Sequence, residues 1–277
     1  MKGLMIQGTA SDVGKTIVQT LLARYFANKG YKLAPFKSQN MTNFLVETNE
    51  NKFIARSQAL QAEAAKQEAI AAMNPIVLKI VENQMAEVYL QGNATKIVSG
   101  RKYREDFYEK GLKVIDESLN YLDKNYDLIL AEGAGSPVEL NLKDRELVNM
   151  KIAKMADLPV ILVADIDRGG VFASIIGTLA LLTSEERKRV KGIIINKFQG
   201  DITLFTDGKE WIEDETGLPV LGILPFISHR IEKEDSLSED KSHLKSQDYS
   251  VGKYDEILEK FKNHLDFNHI EKIMNDW

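Results

Sequence analysis

The stretch Leu4-Met-Ile-Gln-Gly8-Thr9-Ala-Ser-Asp12-Val13-Gly14-Lys15-Thr16 decides how this chain folds. A short apolar run ends in glycine, a polar turn follows, and Gly14-Lys15-Thr16 opens an amphipathic segment over residues 15–28. Strand, glycine-bounded turn and helix start, in that order, make a phosphate cradle, because backbone N–H groups and the positive helix end point at an anion. Gly8, Thr9, Asp12, Val13, Gly14 and Ile17 then frame a nucleotide, and Lys15 adds a point charge at the terminal phosphates. The Thr16 hydroxyl stands where it can hold Mg²⁺. Five residues separate Gly8 from Gly14, one more than the common spacing, but Gly14-Lys15-Thr16 keeps its place at the helix start.

Around this loop the 277-residue chain is long enough for one to two domains at roughly 150 residues each. Short apolar runs alternate with amphipathic stretches, which predicts βα units around a parallel sheet. The predicted strands are residues 4–7, 32–36, 128–131, 160–164, 192–195 and 220–224, apolar on both faces as strands between helix layers must be. Predicted helices are 15–28, 53–73, 104–122, 146–155, 171–182 and 204–216, with extra edge strands at 76–79 and 87–90. The division expected is a synthetase body over 1–227, a polar linker over 228–251 and a helical tail over 252–277. In the tail, Tyr254, Ile257, Leu258, Phe261 and Leu265 recur at helical spacing. A second tail helix is expected with Asn268 as cap and Ile270, Ile273 and Met274 on one face. Packing on the body and docking of a partner are both open to this stripe.

Hydrophobic residues at 44% and charged residues at 28% exclude a disordered chain. Net charge is -5 with no long basic block, which argues against nucleic acid as a partner. No apolar run approaches the ~20 residues that span a bilayer, so no membrane is expected and the reading is cytoplasmic. Cysteine is absent, which removes thiol nucleophiles and Cys-ligated metals. The four histidines, His229, His243, His264 and His269, all come late, so no imidazole serves the first 228 residues.

Chemistry is left to carboxylates, lysines, amides and a metal, and these gather at predicted strand ends. Leu128-Ile-Leu-Ala-Glu132 places a carboxylate where it can face the loop and complete a Mg²⁺ shell, and Gly133, Ala134, Gly135 and Ser136 follow it. Lys37, Gln39 and Asn40 end the second strand, and Asp165, Asp167, Arg168 and Gly169 end the fourth major one. Singly, Lys37 or Asp167 reads as a solvated charge; in an open α/β sheet the carboxyl ends of strands line the ligand crevice. Asn196 ends the next strand, where its amide is placed either to read an adenine edge or to close a turn.

At these residues the chain resembles the cobyric acid synthases, glutamine-dependent enzymes of the cobalamin pathway. The resemblance is carried by Gly8–Thr16, Lys37-Ser-Gln-Asn-Met41, Ala59-Leu-Gln-Ala62, Glu132-Gly-Ala-Gly-Ser-Pro137, Asn141 and Ala164-Asp-Ile-Asp-Arg-Gly-Gly-Val-Phe172. Gly177-Thr-Leu-Ala-Leu-Leu182 and Leu218-Pro-Val-Leu-Gly-Ile-Leu-Pro225 extend it, so it runs almost continuously over residues 1–240. More distantly, the loop spacing and Lys37 are similar to dethiobiotin synthetase. The fold implied is a P-loop NTPase-type, mostly parallel α/β sheet flanked by helices. The activity implied is ATP-dependent amidation of side-chain carboxylates of adenosylcobyrinic acid a,c-diamide through a carboxyl phosphate attacked by ammonia. ATP and Mg²⁺ are the implied cofactors, with Pro225 and Asn196 at the nucleotide and Thr16, Glu132 and Asp12 at the metal. Lys15, Lys37 and Asp167 are the implied catalytic groups. Gln39, Asn40, Gly133–Ser136, Asp165, Arg168 and Gly169 are expected to meet the corrinoid.

Two departures stand out. Where dethiobiotin synthetase has a second metal carboxylate, this chain has Arg56, which leaves Asp12 or Glu63 as replacements. The family also carries a glutaminase domain with catalytic Cys and His, which this sequence does not show. Ammonia is therefore expected free or from a separate glutaminase subunit, and the assembly leaves room for a homodimer. Rival readings are a dethiobiotin-type carboxylating ligase, a partitioning-type ATPase, and a corrinoid-binding protein without catalysis. Thr9-Ala10-Ser11 lacks the extra lysine of the partitioning type.

Overall fold

In the computed structural model, residues 1–81, 85–226 and 252–277 are described; the expected linker over 228–251 lies outside them. From the N-terminus, β1 (Gly3–Gly8) runs into α1 (Lys15–Asn28) and back to β2 (Leu33–Phe36). The chain then leaves the main sheet for β3 (Gln39–Met41), β4 (Leu45–Glu47), β5 (Phe53–Ala55), α2 (Arg56–Ala64) and a 3₁₀ turn at Ala71–Met73. Next come β6 (Ile76–Ile80), β7 (Met85–Leu90), β8 (Asn93–Ser99), α3 (Gly100–Asp106) and α4 (Tyr108–Asn125). It returns through β9 (Leu128–Glu132), a 3₁₀ segment Leu140–Arg145, α5 (Met150–Met155), β10 (Val160–Asp165) and α6 (Val171–Leu181). α7 (Ser184–Arg189), β11 (Val190–Phe198), α8 (Thr206–Thr216), β12 (Val220–Pro225), α9 (Gly252–Phe261) and α10 (Phe267–Asp276) complete it.

The main sheet has six strands in the order β12-β11-β10-β1-β9-β2, all paired parallel. Successive side chains on a strand point to opposite faces, so each strand feeds two cores. Leu4 and Ile6 of β1 join Leu128, Leu130, Ile161 and Val163 under Val18, Leu21 and Phe26 of α1. Met5 joins Ile129, Ala131 and Leu162 with Ile115, Leu119 and Ile175 on the other face. Fully burying each such side chain contributes roughly 1.5–3 kcal/mol. Because β1 is central, the loop at its carboxyl end is flanked by the ends of β9 and β10.

Four expectations are corrected. Residues 53–73 do not form one helix: Phe53–Ala55 pairs antiparallel with Leu45–Glu47, and α2 stops at Ala64. The stop is a left-handed Lys66 (φ 57°), with Gln67 N–H bonded to the Ala62 carbonyl and Lys66 N–H to that of Glu63, a Schellman closure. The predicted helix at 104–122 is two, broken at Phe107. The helix expected from 146 begins at Met150, because the Glu146 carboxylate accepts the N–H groups of Val148, Asn149 and Lys151 and so caps it from outside. Strands β6 and β7 do not extend the main sheet; they belong to a second, four-stranded sheet, β3-β6-β7-β8.

The tail helices lie on the body. Tyr254, Ile257, Leu258 and Phe261 are buried in the core under α1. Arg24 grips Asp255 with two bonds, Nε to Oδ1 at 2.7 Å and Nη2 to Oδ2 at 2.5 Å, and Asn28 Nδ2 adds a third at 2.9 Å. These donors, Arg24 first, hold the Asp255 carboxyl well below the usual carboxylate range. The cap of α10 is Asp266, whose Oδ1 accepts the His269 N–H at 2.9 Å, and not Asn268. Between the helices, Ile223 N–H donates to the His264 carbonyl and Asp266 N–H to that of Leu221, which ties the tail to edge strand β12. Among the described residues no helix is long and apolar enough to cross a membrane.

Candidate functional site

The loop after β1 is pinned by the strands beside it. Thr9 N–H donates to the Val163 carbonyl at 2.9 Å, and Gly14 takes a left-handed conformation (φ 98°) to begin α1. A Cβ on Gly14 would stand 2.0 Å from Asn196 Nδ2, so only glycine fits. That Asn196 nitrogen donates to the Val13 carbonyl at 2.8 Å; the amide expected at an adenine edge is engaged with the loop itself. Lys15 is fully buried, with Nζ reaching the carbonyls of Ala10 at 3.3 Å and Gly135 at 3.4 Å.

Glu132, at the end of β9, is 1% exposed. Its Oε1 accepts the Thr16 hydroxyl at 3.0 Å and the Lys37 ammonium at 3.2 Å, and its Oε2 accepts Gln61 Nε2 at 2.6 Å. Thr16, Lys37 and Glu132 thus converge from α1, the end of β2 and β9. Asn74 fixes the Lys37 backbone: its Nδ2 donates to the Lys37 carbonyl at 2.8 Å, and its Oδ1 accepts the Ala55 N–H.

Beside this junction opens a cavity of about 620 Å³. Lys37, Gln39, Asn40 and Ala134–Ser136 line it together with Ser11 of the loop, apolar Met41, Leu78 and Leu147, and the cations Arg104, Lys143 and Arg145. Gln39 Oε1 accepts the Tyr103 hydroxyl, whose pKa burial pushes up, and Asn40 Nδ2 donates to Ser57 Oγ at 3.1 Å. Asn149 braces the wall, with Nδ2 donating to the carbonyls of Ala134 at 2.7 Å and Ser136 at 3.1 Å. A Cβ on Gly133 would meet Asn149 Oδ1 at 2.0 Å, so this glycine is needed for close approach.

The remaining expected residues are not in the cavity. Asp165 is buried and paired with Lys197 Nζ at 2.7 Å and Arg168 Nε at 3.7 Å. Asp12, considered as a metal ligand, faces Arg168 at 3.8 Å, and its carbonyl accepts Lys197 Nζ at 2.6 Å. Asp167, expected to be catalytic, is exposed and accepts Gln199 Nε2; Gly169 is exposed in a left-handed turn before α6. Pro225 sits in the ladder opposite Phe198. Glu63, the other metal alternative, accepts the Tyr254 hydroxyl of α9 at 3.2 Å. What α2 delivers to Glu132 is Gln61, which lies in the Ala59–Ala62 run but carried no charge to mark it. Lys197 follows Asn196 directly and was legible as a strand-end cation; Asn149 and Asn74 had no local signal.

Among the described residues no group of three or more His, Cys, Asp or Glu forms a metal cage. Mg²⁺ does not need one, since it is commonly held by one or two protein oxygens with substrate phosphates and water. The hard oxygens of Thr16 and Glu132, 3.0 Å apart at the base of the loop, fit that requirement.

Residues 2–233 match the family described as "AAA domain". The cobyric acid synthase of Geobacillus sp. is 50% identical over 236 residues, 85% of this chain and 47% of that protein. That of Anoxybacillus flavithermus is 48% identical over 245 residues, 88% of this chain and 49% of that protein. The chain therefore spans about half the length of the curated relatives it matches. Among solved structures, chloroplast FtsY from Physcomitrella patens superposes with a TM-score of 0.49 at 15% identity, covering 93% of this chain and 64% of that one. With the match extending through the loop, Lys37, Glu132 and the end of β12, the chain belongs to the AAA domain family.

Proposed function

We propose that this chain is an ATP-dependent amide-forming ligase that amidates side-chain carboxylates of adenosylcobyrinic acid a,c-diamide. One observation carries the reading: Lys37 touches Glu132, the neighbour of Thr16, and also lines the cavity. A single ammonium thus stands between a phosphate cradle and a space for a large carboxylate substrate. The relatives named cobyric acid synthase supply the substrate.

In this reading the loop amides and Lys15 bind the phosphates of ATP, and Thr16 and Glu132 hold Mg²⁺. The bound metal neutralises charge on the transferring phosphoryl group. Lys37 receives the substrate carboxylate and offsets its repulsion from the phosphates. Gln39 and Asn40, with the Gly133–Ser136 backbone braced by Asn149, orient the corrinoid periphery, and the apolar walls exclude water. A carboxylate oxygen attacks the γ-phosphorus of ATP and ADP leaves, giving a carboxyl phosphate; ammonia attacks its carbonyl carbon, phosphate leaves, and the released proton goes to solvent or phosphate. Such phosphoryl transfer depends on positioning and charge neutralisation more than on a protein nucleophile. Asp165 pairs with Arg168 and Lys197 on the other flank of the loop, outside the cavity.

A glutaminase of the thiolate type needs cysteine, and this chain has none. The test is turnover of the a,c-diamide by the pure chain with ATP, Mg²⁺ and either ammonium chloride or glutamine. Amide products with ammonium alone are expected. No ATP-dependent product with ammonium, or products with glutamine from a homogeneous sample, would overturn the proposal.

A further inference from the structure

The Glu132 carboxylate is aimed by a chain of amides that begins on its own strand. Leu130, two residues earlier on β9, presents its carbonyl to Gln19 Nε2 of α1 at 2.9 Å. The same nitrogen donates to Gln61 Oε1 of α2 at 3.1 Å, and Gln61 Nε2 donates to Glu132 Oε2 at 2.6 Å. Gln19 is 0% exposed, and Gln61 and Glu132 are each 1% exposed, so water does not compete for these bonds. Chemistry sets their direction. A backbone carbonyl can only accept, so Gln19 must turn its nitrogen to Leu130. That nitrogen then meets the Gln61 oxygen and leaves the Gln61 nitrogen for the carboxylate. Gln19 Oε1 is buried without a hydrogen-bond partner among the described residues, as expected when the two acceptors and not Gln19 itself dictate the arrangement.

We infer that Gln61, oriented by Gln19, is a positioning residue for the metal side of Glu132. It occupies Oε2 and leaves the Oε1 edge, shared by Thr16 and Lys37, as the edge that faces the metal. With its oxygen turned to Gln19, Gln61 offers Mg²⁺ no ligand, so α2 supplies a donor to the carboxylate in place of a second carboxylate. The inference rests on the phosphate-site reading. Hydrogen bonds behind a metal ligand commonly set affinity by 10–100-fold.

The experiment titrates the full chain into Mn²⁺ and a non-hydrolysable ATP analogue and follows bound Mn²⁺ by electron paramagnetic resonance. Gln61→Met, near-isosteric but without the donor, is expected to weaken Mn²⁺ binding about 10-fold or more. Analogue binding in EDTA should stay within about twofold, as for a site that does not couple. Gln19→Met should show a smaller loss in Mn²⁺ binding. The double variant should lose no more than Gln61→Met alone, because Gln19 acts through Gln61. Gln61→Leu serves if Gln61→Met does not fold. Wild-type Mn²⁺ affinity in the Gln61 variant, or losses that simply add, would overturn the inference while leaving the phosphate site intact. Wild-type protein that binds no Mn²⁺ with the analogue would overturn both.

Discussion

Lys15 and Lys37 are buried lysines that differ in their partners. Lys15 Nζ reaches the carbonyls of Ala10 and Gly135, and Lys37 Nζ reaches the Glu132 carboxylate. In the proposed reading, Lys15→Ala removes the charge that meets the phosphates. It should lower ATP-dependent turnover by about 10²–10³-fold, as losing one transition-state donor does. Undiminished turnover would remove the phosphate assignment. Lys197 acts on the loop from outside by bridging the Asp12 carbonyl and the Asp165 carboxylate. Lys197→Met should weaken nucleotide binding, read by calorimetry, and should also lower stability because Asp165 keeps its buried charge with one partner fewer. Nucleotide affinity equal to wild type would make Lys197 a purely structural ion pair.

At the level of elements, helix ends decide which side chains reach the site. Had residues 53–73 formed one helix, Lys37 would lose Met73 and Asn74, which hold its backbone. The closure at Lys66 is the reason they are available. Helix α9 is held to α1 by Asp255, whose carboxyl ionises more readily folded than unfolded. A carboxyl depressed in this way contributes stability that is full above its unfolded pKa near 4 and is lost as pH falls through the lower folded value. Asp255→Asn should accordingly lower the melting temperature at pH 7, and the gap to wild type should shrink as pH falls below about 4. A gap independent of pH would assign the effect to shape and not to charge.

For the whole molecule, the tail is continuous with the core beneath α1. Phe261 is 2% exposed there, and Tyr25 stacks on Phe267 with centroids 4.0 Å apart. Phe261→Ala should cost about 3–5 kcal/mol and shift one cooperative transition, read by calorimetry. A separate early transition would show a tail that melts on its own. The same scale explains why the expected substrate set divides in two. Parallel strands bring their carboxyl ends to one edge, but β9 and β2 lie on one side of β1, and β10 and β11 on the other. Lys37 and Ala134–Ser136 therefore meet the cavity, while Asp165 and Arg168 brace the opposite flank of the loop.

The six strands of the main sheet and the loop at the head of α1 were legible in the sequence because their causes are local. Apolar runs of strand length, a glycine that alone can turn left-handed, and a lysine and threonine at a helix start each declare themselves within a few residues. The amide chain from Leu130 through Gln19 and Gln61 to Glu132 joins residues 42 to 111 positions apart and carries no pattern of its own. Neutral amides declare no charge, and their orientation follows only from which acceptors the packing sets beside them. The brace of Asn149 on Ala134 and Ser136, the pairing of Lys197 with Asp12 and Asp165, and the left-handed Lys66 are of the same kind. Local propensity chose the six main-sheet strands and α1; burial, which makes every unpaired polar atom costly, decided which side chains meet.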